Sequence, residues 1–530
     1  MHKKIFTLTF LISLSVIPLT VKSQYWSGVV TSKFASSGQV LWECYGGSNN
    51  YGRNLVQEIN TDVNSNVYIA GKTTAGLWFN NIGIGGELFV AKYSPTGELL
   101  WAKPIDGATM TVNGIATDSE ENCYVVGWFD SLIISDTIRL YCKNHSEIFI
   151  IKYDKYGETI WVKSSLGRDY RLRAESISIN ETNNHLYITG WEDDDYPHGN
   201  NTKLIVAKYN LTNGELLREV EIYKNQDTPH GSGNIGNCII NNGSSIFICG
   251  TLSIASGKQA NFYVAKLDTG LNIIWDKGPT ETASQNIAYD IALDDENNVY
   301  VTGFYKDSIT IGNQLLPDLS YQDIFISKFS EEGNFIWAKN AGSVVAGYLG
   351  HDVGYSICFD YNNSIYVSGY VGKDAVFSPT IQTQHAGPFI AKLDKNGDYE
   401  YVNSYYTGYD DNDERGTGHV ACASNGDFYF STSFEDSITL NIESYKKRLT
   451  NAFFELYPNP AKETIYLSYN PNQTVNSARI LNLSGQTVFK ARGIKNKQLN
   501  IGFLTSGIYL VELEFSDNSR ATQKLIVTKE

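Results

Sequence analysis

Two acidic runs are the first places where this sequence could do chemistry. Glu192-Asp193-Asp194-Asp195 and Tyr409-Asp410-Asp411-Asn412-Asp413-Glu414 fall in stretches read as loops. Oxygen-rich loops can hold calcium, but neither run has a full ligand pattern, and solvated charge is the favoured reading. Asp394-Lys395-Asn396-Gly397-Asp398 also begins like a calcium loop. It coincides with a recurring hairpin turn, and the turn is preferred. No cofactor is expected, with calcium at these loops as the alternative. His230, His351 and His419 recur just ahead of short apolar runs. They are read as polar residues near an axis, the alternative being a joint metal or acid–base site. Glycoside hydrolysis needs two carboxylates at a fixed separation, one with a raised pKa. The acids here are scattered, and no pair stands out. Gly-x-Ser-x-Gly and His-Glu-x-x-His are both absent. Seven cysteines include no Cys-x-x-Cys pair, which argues against a zinc site. Cys123, Cys238, Cys249 and Cys358 fall in apolar runs and are read as buried free thiols.

Any such chemistry needs a scaffold, and the chain builds one by repetition. Leu99-Leu100-Trp101-Ala102-Lys103 returns as Thr159-Ile160-Trp161-Val162-Lys163 and Phe335-Ile336-Trp337-Ala338-Lys339. Weaker copies surround Trp42 and Trp275. A second segment, Asn298-Val299-Tyr300-Val301-Thr302-Gly303, has counterparts ending on Gly71, Gly190 and Gly369. An acid precedes this glycine in five units: Asp62, Asp118, Glu181, Asp294 and Asp360. A third segment reads Leu88-Phe89-Val90-Ala91-Lys92-Tyr93, and a turn carrying Gly97, Gly157, Gly333 or Gly397 leads into the tryptophan segment. Short runs rich in Val, Ile, Tyr, Phe and Trp, separated by Gly, Asn and Asp, read as strands and tight turns. Four strands per unit at this spacing make a propeller blade. The repeated acid is read as a turn-former bonding local backbone N–H groups. Trp101, Trp161, Trp275 and Trp337 are expected to lie buried between blades.

The repeats fix the count and the closure. The glycine and tryptophan positions each recur seven times but out of phase. The first tryptophan segment lacks preceding inner strands, and the last inner pair lacks an outer pair. Val29 to Glu43 is therefore expected to pair with strands around Val420 to Leu440, closing a seven-bladed β-propeller over residues 24–452. Closure removes exposed sheet edges. Ahead of it, Lys3-Lys4 and the apolar run Ile5 to Leu19 read as a secretory signal peptide over residues 1–23. No transmembrane segment is expected in the mature chain.

After the propeller the pattern changes. Leu456-Tyr457-Pro458-Asn459-Pro460 opens a segment containing Leu483-Ser484-Gly485-Gln486 and Leu504-Thr505-Ser506-Gly507-Ile508-Tyr509. Strands alternate with Asn-Pro and Ser-Gly turns, so residues 453–530 are expected to form a small immunoglobulin-like β-sandwich. These motifs resemble the C-terminal sorting domain of proteins exported by the type IX secretion system. The resemblance implies a Gram-negative source, the type IX machinery as partner, and a secreted or surface-held product reached through the periplasm. The repeats resemble bacterial seven-bladed propeller (SBBP) repeats, which carry no assigned catalytic residues. Asp130-Ser131-Leu132, Asp136-Thr137-Ile138, Asp307-Ser308-Ile309 and Asp436-Ser437-Ile438 resemble an O-glycan acceptor pattern. A turn entering the third strand is the preferred reading.

A net charge of −15 argues against nucleic acid as partner. Two function classes stay open. One is a non-catalytic scaffold binding a glycan, peptide or protein. The other is an extracellular polysaccharide lyase or glycoside hydrolase. Loops joining successive blades, and second strands to third, should share one face. They carry the candidate ligand residues Tyr51, Arg53, Arg168, Tyr170, Arg171, Trp191, His230, His351 and Arg415. Arginine and aromatic side chains on rigid supports suit recognition. No catalytic residue is assigned.

Overall fold

A computed structural model describes Thr20, Val21 and most of residues 27–529. Outside the described residues lie 1–19, 22–26, 49–52, 166–170, 194–201, 223–232, 254–260, 280–284, 345–350, 406–417, 440–453, 458–460, 470–473, 483–486, 517–519 and some shorter stretches. The predicted leader is among them apart from Thr20 and Val21. The chain divides into two compact units, residues 1–441 and 442–530. That division and the expected boundary at 452/453 both fall within 440–453. Among the described residues no helix is long and apolar enough to cross a membrane.

The first unit is a β-propeller. Its described residues hold seven antiparallel sheets with four-stranded cores. Blade 1 runs Asn54–Thr61, Val67–Thr73, Leu88–Tyr93 and Leu99–Gly107. The first strands of blades 2 to 7 are Met110–Thr117, Arg171–Asn180, Ile235–Asn241, Asn286–Leu293, Val353–Phe359 and Gly418–Cys422. Side chains link each first strand to the next. Asn60 donates to the Ile115 carbonyl at 3.0 Å, Asn113 to Ala174 at 2.9 Å, and Asn241 to Ile179 at 2.8 Å. Asn237 donates to Ala288 at 2.7 Å, and the Ile357 N–H donates to Asp290 at 2.7 Å. Ser356 donates to Val420 at 3.1 Å, and Thr61 to Cys422 at 2.9 Å, completing the circle. Blade 7 takes its third and fourth strands, Ser27–Phe34 and Val40–Ser48, from the other end of the chain. Ser27–Phe34 pairs with Phe428–Glu435 without a break in register.

Three sequence signals acquire physical causes. The first is the acid of the first hairpin. Asp62 Oδ1 accepts the Asn64 and Asn66 N–H groups, both at 2.9 Å, and Oδ2 accepts the Tyr68 hydroxyl at 3.0 Å. Asp118, Asp294 and Asp360 repeat this arrangement with Tyr124, Tyr300 and Tyr366. A third-strand lysine completes it: Lys92 lies 3.5 Å from Asp62 and over the Tyr68 ring. Lys152 and Lys328 do the same in blades 2 and 5. Blades 1, 2 and 5 thus each bury a tyrosine whose hydroxyl is satisfied and whose face carries a cation. Asp394 serves a turn likewise, accepting the N–H groups of Asn396 and Asp398.

The second signal is the repeated glycine. The pairing of first and second strands slips by one residue in blades 1 to 6, a β-bulge. The bulge bends a first-strand carbonyl over the glycine. A Cβ on Gly71, Gly127, Gly190, Gly250, Gly303 or Gly369 would sit about 2 Å from that oxygen. Blade 7 has Thr432 at this position, and there the described pairing runs without a slip.

The third signal is the tryptophan. Each sits on a fourth strand and reaches the turn between third and fourth strands of the following blade. Trp42 Nε1 donates to the Pro95 carbonyl at 2.9 Å, Trp101 to Lys155 at 3.1 Å, Trp161 to Thr212 at 3.1 Å, and Trp275 to Glu331 at 2.9 Å. The turn glycines Gly97, Gly157, Gly214 and Gly333 adopt positive φ directly against these indoles. Trp101 is buried, but Trp161, Trp275 and Trp337 are only half-buried, short of the expectation. Fourth strands form the rim, where one ring edge meets solvent.

Two expectations are corrected. Cys358 is not a free thiol: it forms a disulfide with Cys422, joining the first strands of blades 6 and 7. The two cysteines share a place in consecutive repeats 64 residues apart, and neighbouring first strands bring them together. Cys123, Cys238 and Cys249 are free. The Asp-Ser/Thr triplets do not simply lead into third strands. Leu132–Ser135 and Ile138–Tyr141 form an added hairpin on the fourth strand of blade 1. Ile309–Ile311 and Gln314–Leu316 form another. Asp436 and Ser437 lie outside the described residues.

Between blades 5 and 6 two carboxyl groups are fully buried. Asp323 accepts the Leu319 N–H at 2.7 Å, and Asp352 accepts the N–H and hydroxyl of Ser343 at 2.7 and 2.6 Å. The Ser320 hydroxyl lies 3.2 Å from one and 3.4 Å from the other. Burial pushes Asp323 up to about 7, with the Asp352 charge adding to it, and Asp352 up to about 6.

The second unit has two antiparallel sheets, of three and four strands, sharing one core. Ile465, Leu467 and Leu499 face Ile480, Val511, Leu513 and Leu525 within it. In the Leu-Thr-Ser-Gly-Ile-Tyr motif, the Tyr509 hydroxyl bonds back to Thr505, and Ser506 accepts the Lys529 N–H at 2.8 Å.

Two outcomes follow. Trp101→Ala should cost about 3–5 kcal/mol, and Trp101→Phe, losing chiefly the bond to Lys155, about 1 kcal/mol. Equal losses in chemical denaturation would disprove the inter-blade role. The buried pair also sets a pH dependence. Folded Asp323 and Asp352 keep their protons to higher pH than the unfolded chain does. Stability should therefore fall as pH rises from about 4 to about 7. Asp323→Asn should flatten that fall, and an unchanged slope of Tm against pH would refute the assignment.

Candidate functional site

First strands begin, and second strands end, at one end of the channel. The pairings Asn54↔Thr73, Met110↔Phe129 and Arg171↔Asp193 place them there. Arg171 opens the first strand of blade 3, and Trp191 lies on the strand paired with it. The structure places these two expected residues on one pair of strands, Arg171 opposite Asp193 and Trp191 opposite Arg173. Arg53 sits on blade 1, its carbonyl accepting the Thr74 N–H at 2.9 Å and its N–H donating to the Thr74 hydroxyl at 2.8 Å. Thr74 lines an open cleft of about 370 Å³ together with Lys72, Glu87 and Asp106. His351 is on blade 6, with Nδ1 2.8 Å from the Gln322 amide oxygen and its ring edge-on to Tyr321. Tyr51, Arg168, Tyr170, His230 and Arg415 lie outside the described residues.

The most built part of this end gathers around Trp191 three residues that sequence reasoning missed, Arg173, Trp128 and Glu175. Arg173 pairs across the strands with Trp191. Its guanidinium lies 3.7 Å from the centre of the Trp128 ring and 4.9 Å from that of Trp191. Glu175, at the bulge of the same strand, accepts Trp191 Nε1 at 2.9 Å and Asn113 Nδ2 at 2.8 Å. Those bonds occupy both carboxylate oxygens and fix the Trp191 ring. Burial pushes Glu175 up to about 7, against the lowering effects of Trp191 and Arg173. Burial also lowers the Arg173 pKa. Arg173 makes no ion pair or hydrogen bond among the described residues, and its buried Nε has no acceptor. Lys72, whose ammonium reaches the Met110 carbonyl at 3.4 Å, continues this row into blade 1.

A signal for Trp128 existed. Like Trp191, it directly follows the repeated glycine, where other blades carry Lys72, Thr251, Phe304, Tyr370 and Ser433. That position is variable in an otherwise regular array, and its side chains stand at the channel end.

Deeper in the channel the walls differ in kind. Glu58 and Asp290 are half-buried residues whose carboxylates have raised pKa values, Glu58 through desolvation first and then the charges of Asp290 and Glu175, Asp290 through desolvation. Tyr289, Tyr355 and His419 form an aromatic wall on blades 5 to 7, with ring centres 5.0 and 6.5 Å apart. Burial pushes His419 down to about 4, so it is neutral at pH 7. Among the described residues no group of three His, Cys, Asp or Glu side chains is arranged to hold a metal.

Comparison with known proteins bears mainly on the second unit. Residues 455–528 match the family described as the secretion system C-terminal sorting domain. An uncharacterized WD repeat-containing protein of Acanthamoeba polyphaga mimivirus is 42% identical over 81 residues, 14% of this chain and 6% of that protein. Similar solved structures include the Dos1 propeller, at 10% identity and TM-score 0.36, covering 72% of this chain and 93% of that one. The β-propeller domain of the Trilobed protease from Pyrococcus furiosus is similar at 11% identity and TM-score 0.29, covering 66% and 98%. Likeness at these scores carries no argument about chemistry. The sorting domain does carry one about destination: the tail engages the type IX secretion machinery, and the chain is exported to the cell surface or beyond.

Proposed function

We propose that the propeller is a non-catalytic extracellular scaffold that binds a glycan, peptide or protein at the channel end formed by blades 1 to 3. The observation that supports this most is the Arg173 guanidinium held between two indoles with a buried N–H lacking an acceptor. A desolvated donor without a partner costs free energy. Rigid support by paired strands suits a preformed recognition site. Glu175 serves as a support here, because both its oxygens are taken by Trp191 and Asn113. Arg53 and Arg171 extend the same face, and His351 belongs to its far side.

The test is to screen the exported full chain against arrays of polysaccharides and peptides while following release of new reducing ends. Binding without product release is expected, and Trp128→Ala should weaken it by about tenfold. Turnover of any bound polysaccharide would replace this reading with the lyase or hydrolase one. The tail has its own test. Deleting residues 453–530 should leave a folded propeller in the periplasm of cells that possess the type IX machinery. Normal export of the shortened chain would overturn its assigned role.

A further inference from the structure

We infer that Arg173 is the anchor for a carboxylate on an acidic sugar, so that the channel end recognises a uronate-bearing glycan. This rests on the binding-scaffold reading and deepens it.

The chemistry begins with the cation. A guanidinium presents its N–H groups in the plane and its π surface above and below. In Arg173 the guanidinium lies against the indoles of Trp128 and Trp191 and its Nε is buried, which leaves the Nη edge, without a partner among the described residues, for a ligand. That edge matches a carboxylate through two parallel charge-assisted bonds. The nearby acids do not fill the role. Glu175 spends its oxygens on Trp191 and Asn113, and Asp130 acts on Arg173 only through its charge. Arg171 adds a second positive charge close by on the same strand.

The surroundings favour a sugar over a peptide. Both indoles are half-buried, offering flat apolar surface beside the cation, as the C–H face of a pyranose requires. A cleft on blade 1, whose Lys72 reaches the Met110 carbonyl of blade 2, is lined by Lys72, Thr73, Thr74, Glu87 and Asp106, a set of donors and acceptors suited to hydroxyl groups. Peptides are commonly taken up along open strand edges or in apolar grooves. Here each first strand is the edge of its sheet, but carbonyls along those edges are taken by side chains of neighbouring first strands, as by Asn60 at Ile115 and Asn113 at Ala174, and the cleft is polar.

The test titrates the full chain calorimetrically with hexamers of galacturonate, mannuronate and guluronate. The fully methyl-esterified form of each and a hexaglutamate peptide serve as comparisons. At least one uronate should bind, and its ester should bind about tenfold more weakly or worse, since the charge-assisted pair is lost. Arg173→Gln should cause a similar loss, with Arg173→Lys in between. Should Arg173→Gln not fold, the acid-to-ester ratio on the unaltered chain decides. Ester binding as tight as the acid, hexaglutamate binding where no uronate binds, or no binding by any uronate would each overturn the inference. A neutral glycan bound in place of the uronates would overturn it and leave the scaffold reading standing. Cleavage of a bound hexamer would overturn the scaffold reading itself.

Discussion

The propeller depends on one pairing made between its two ends. Eight residues, Ser27 to Phe34, lie against Phe428–Glu435 and supply blade 7 with its third strand. Without that pairing, blade 7 would end at an unpaired strand and blade 1 would lose a neighbour. The seam is reinforced along its length. Lys33 meets Asp427 at 2.8 Å, Phe34 stacks on Phe428 with centres 5.0 Å apart, and Thr31 shares a 3.0 Å hydrogen bond with Ser431. The Cys358–Cys422 disulfide joins the first strand of this same blade to that of blade 6. Outside the cell the oxidising environment preserves such a bond, which agrees with the destination set by the sorting tail.

Given a closed ring, each repeated residue type solves a local problem that the ring creates. The aspartate turns the first hairpin and satisfies the tyrosine beneath it. The glycine makes room for a carbonyl displaced by the bulge. The tryptophan spans to the next blade's turn. The exceptions follow the same logic. Blade 7 dispenses with both glycine and bulge at Thr432. Blade 3 has Arg218 and blade 6 Tyr401 where the other five carry tryptophan, and the Tyr401 ring packs on Gly38 of blade 7 as the indoles pack on theirs. Wedged tightly, the blades give the channel end a fixed geometry, and Arg173, Glu175 and Trp191 inherit it from paired strands.

Repetition explains what was legible in the chain. Periodic glycine, tryptophan and aspartate report backbone needs that recur in each blade, so they announce the architecture and the closure. The candidate site was legible only at Arg171 and Trp191, which stand near strand ends beside the loops. Arg173 and Glu175 sit within a strand, where alternation reads as ordinary patterning, and nothing local says that their neighbour across the blade is Trp128. The added hairpin at Leu132–Tyr141 was hidden for another reason. Its two strands are only four residues each, and they attach to the preceding blade rather than their own. The disulfide was hidden because its cysteines meet only when adjacent first strands are side by side.

The terminal seam also governs timing. The chain is made from its N-terminus, so residues 27–34 exist for some 400 residues of synthesis before their partners at 428–435. Contacts of such sequence separation form late, after the entropy of a long loop has been overcome. Blades 1 to 6 are built from contiguous sequence and can assemble in order, each on the one before. The final step is then a capture in which the last inner strands admit the waiting first segment. Residues 442–530 follow that step in sequence. The address that sends the protein outward is thus completed only after the last strand needed to shut the propeller.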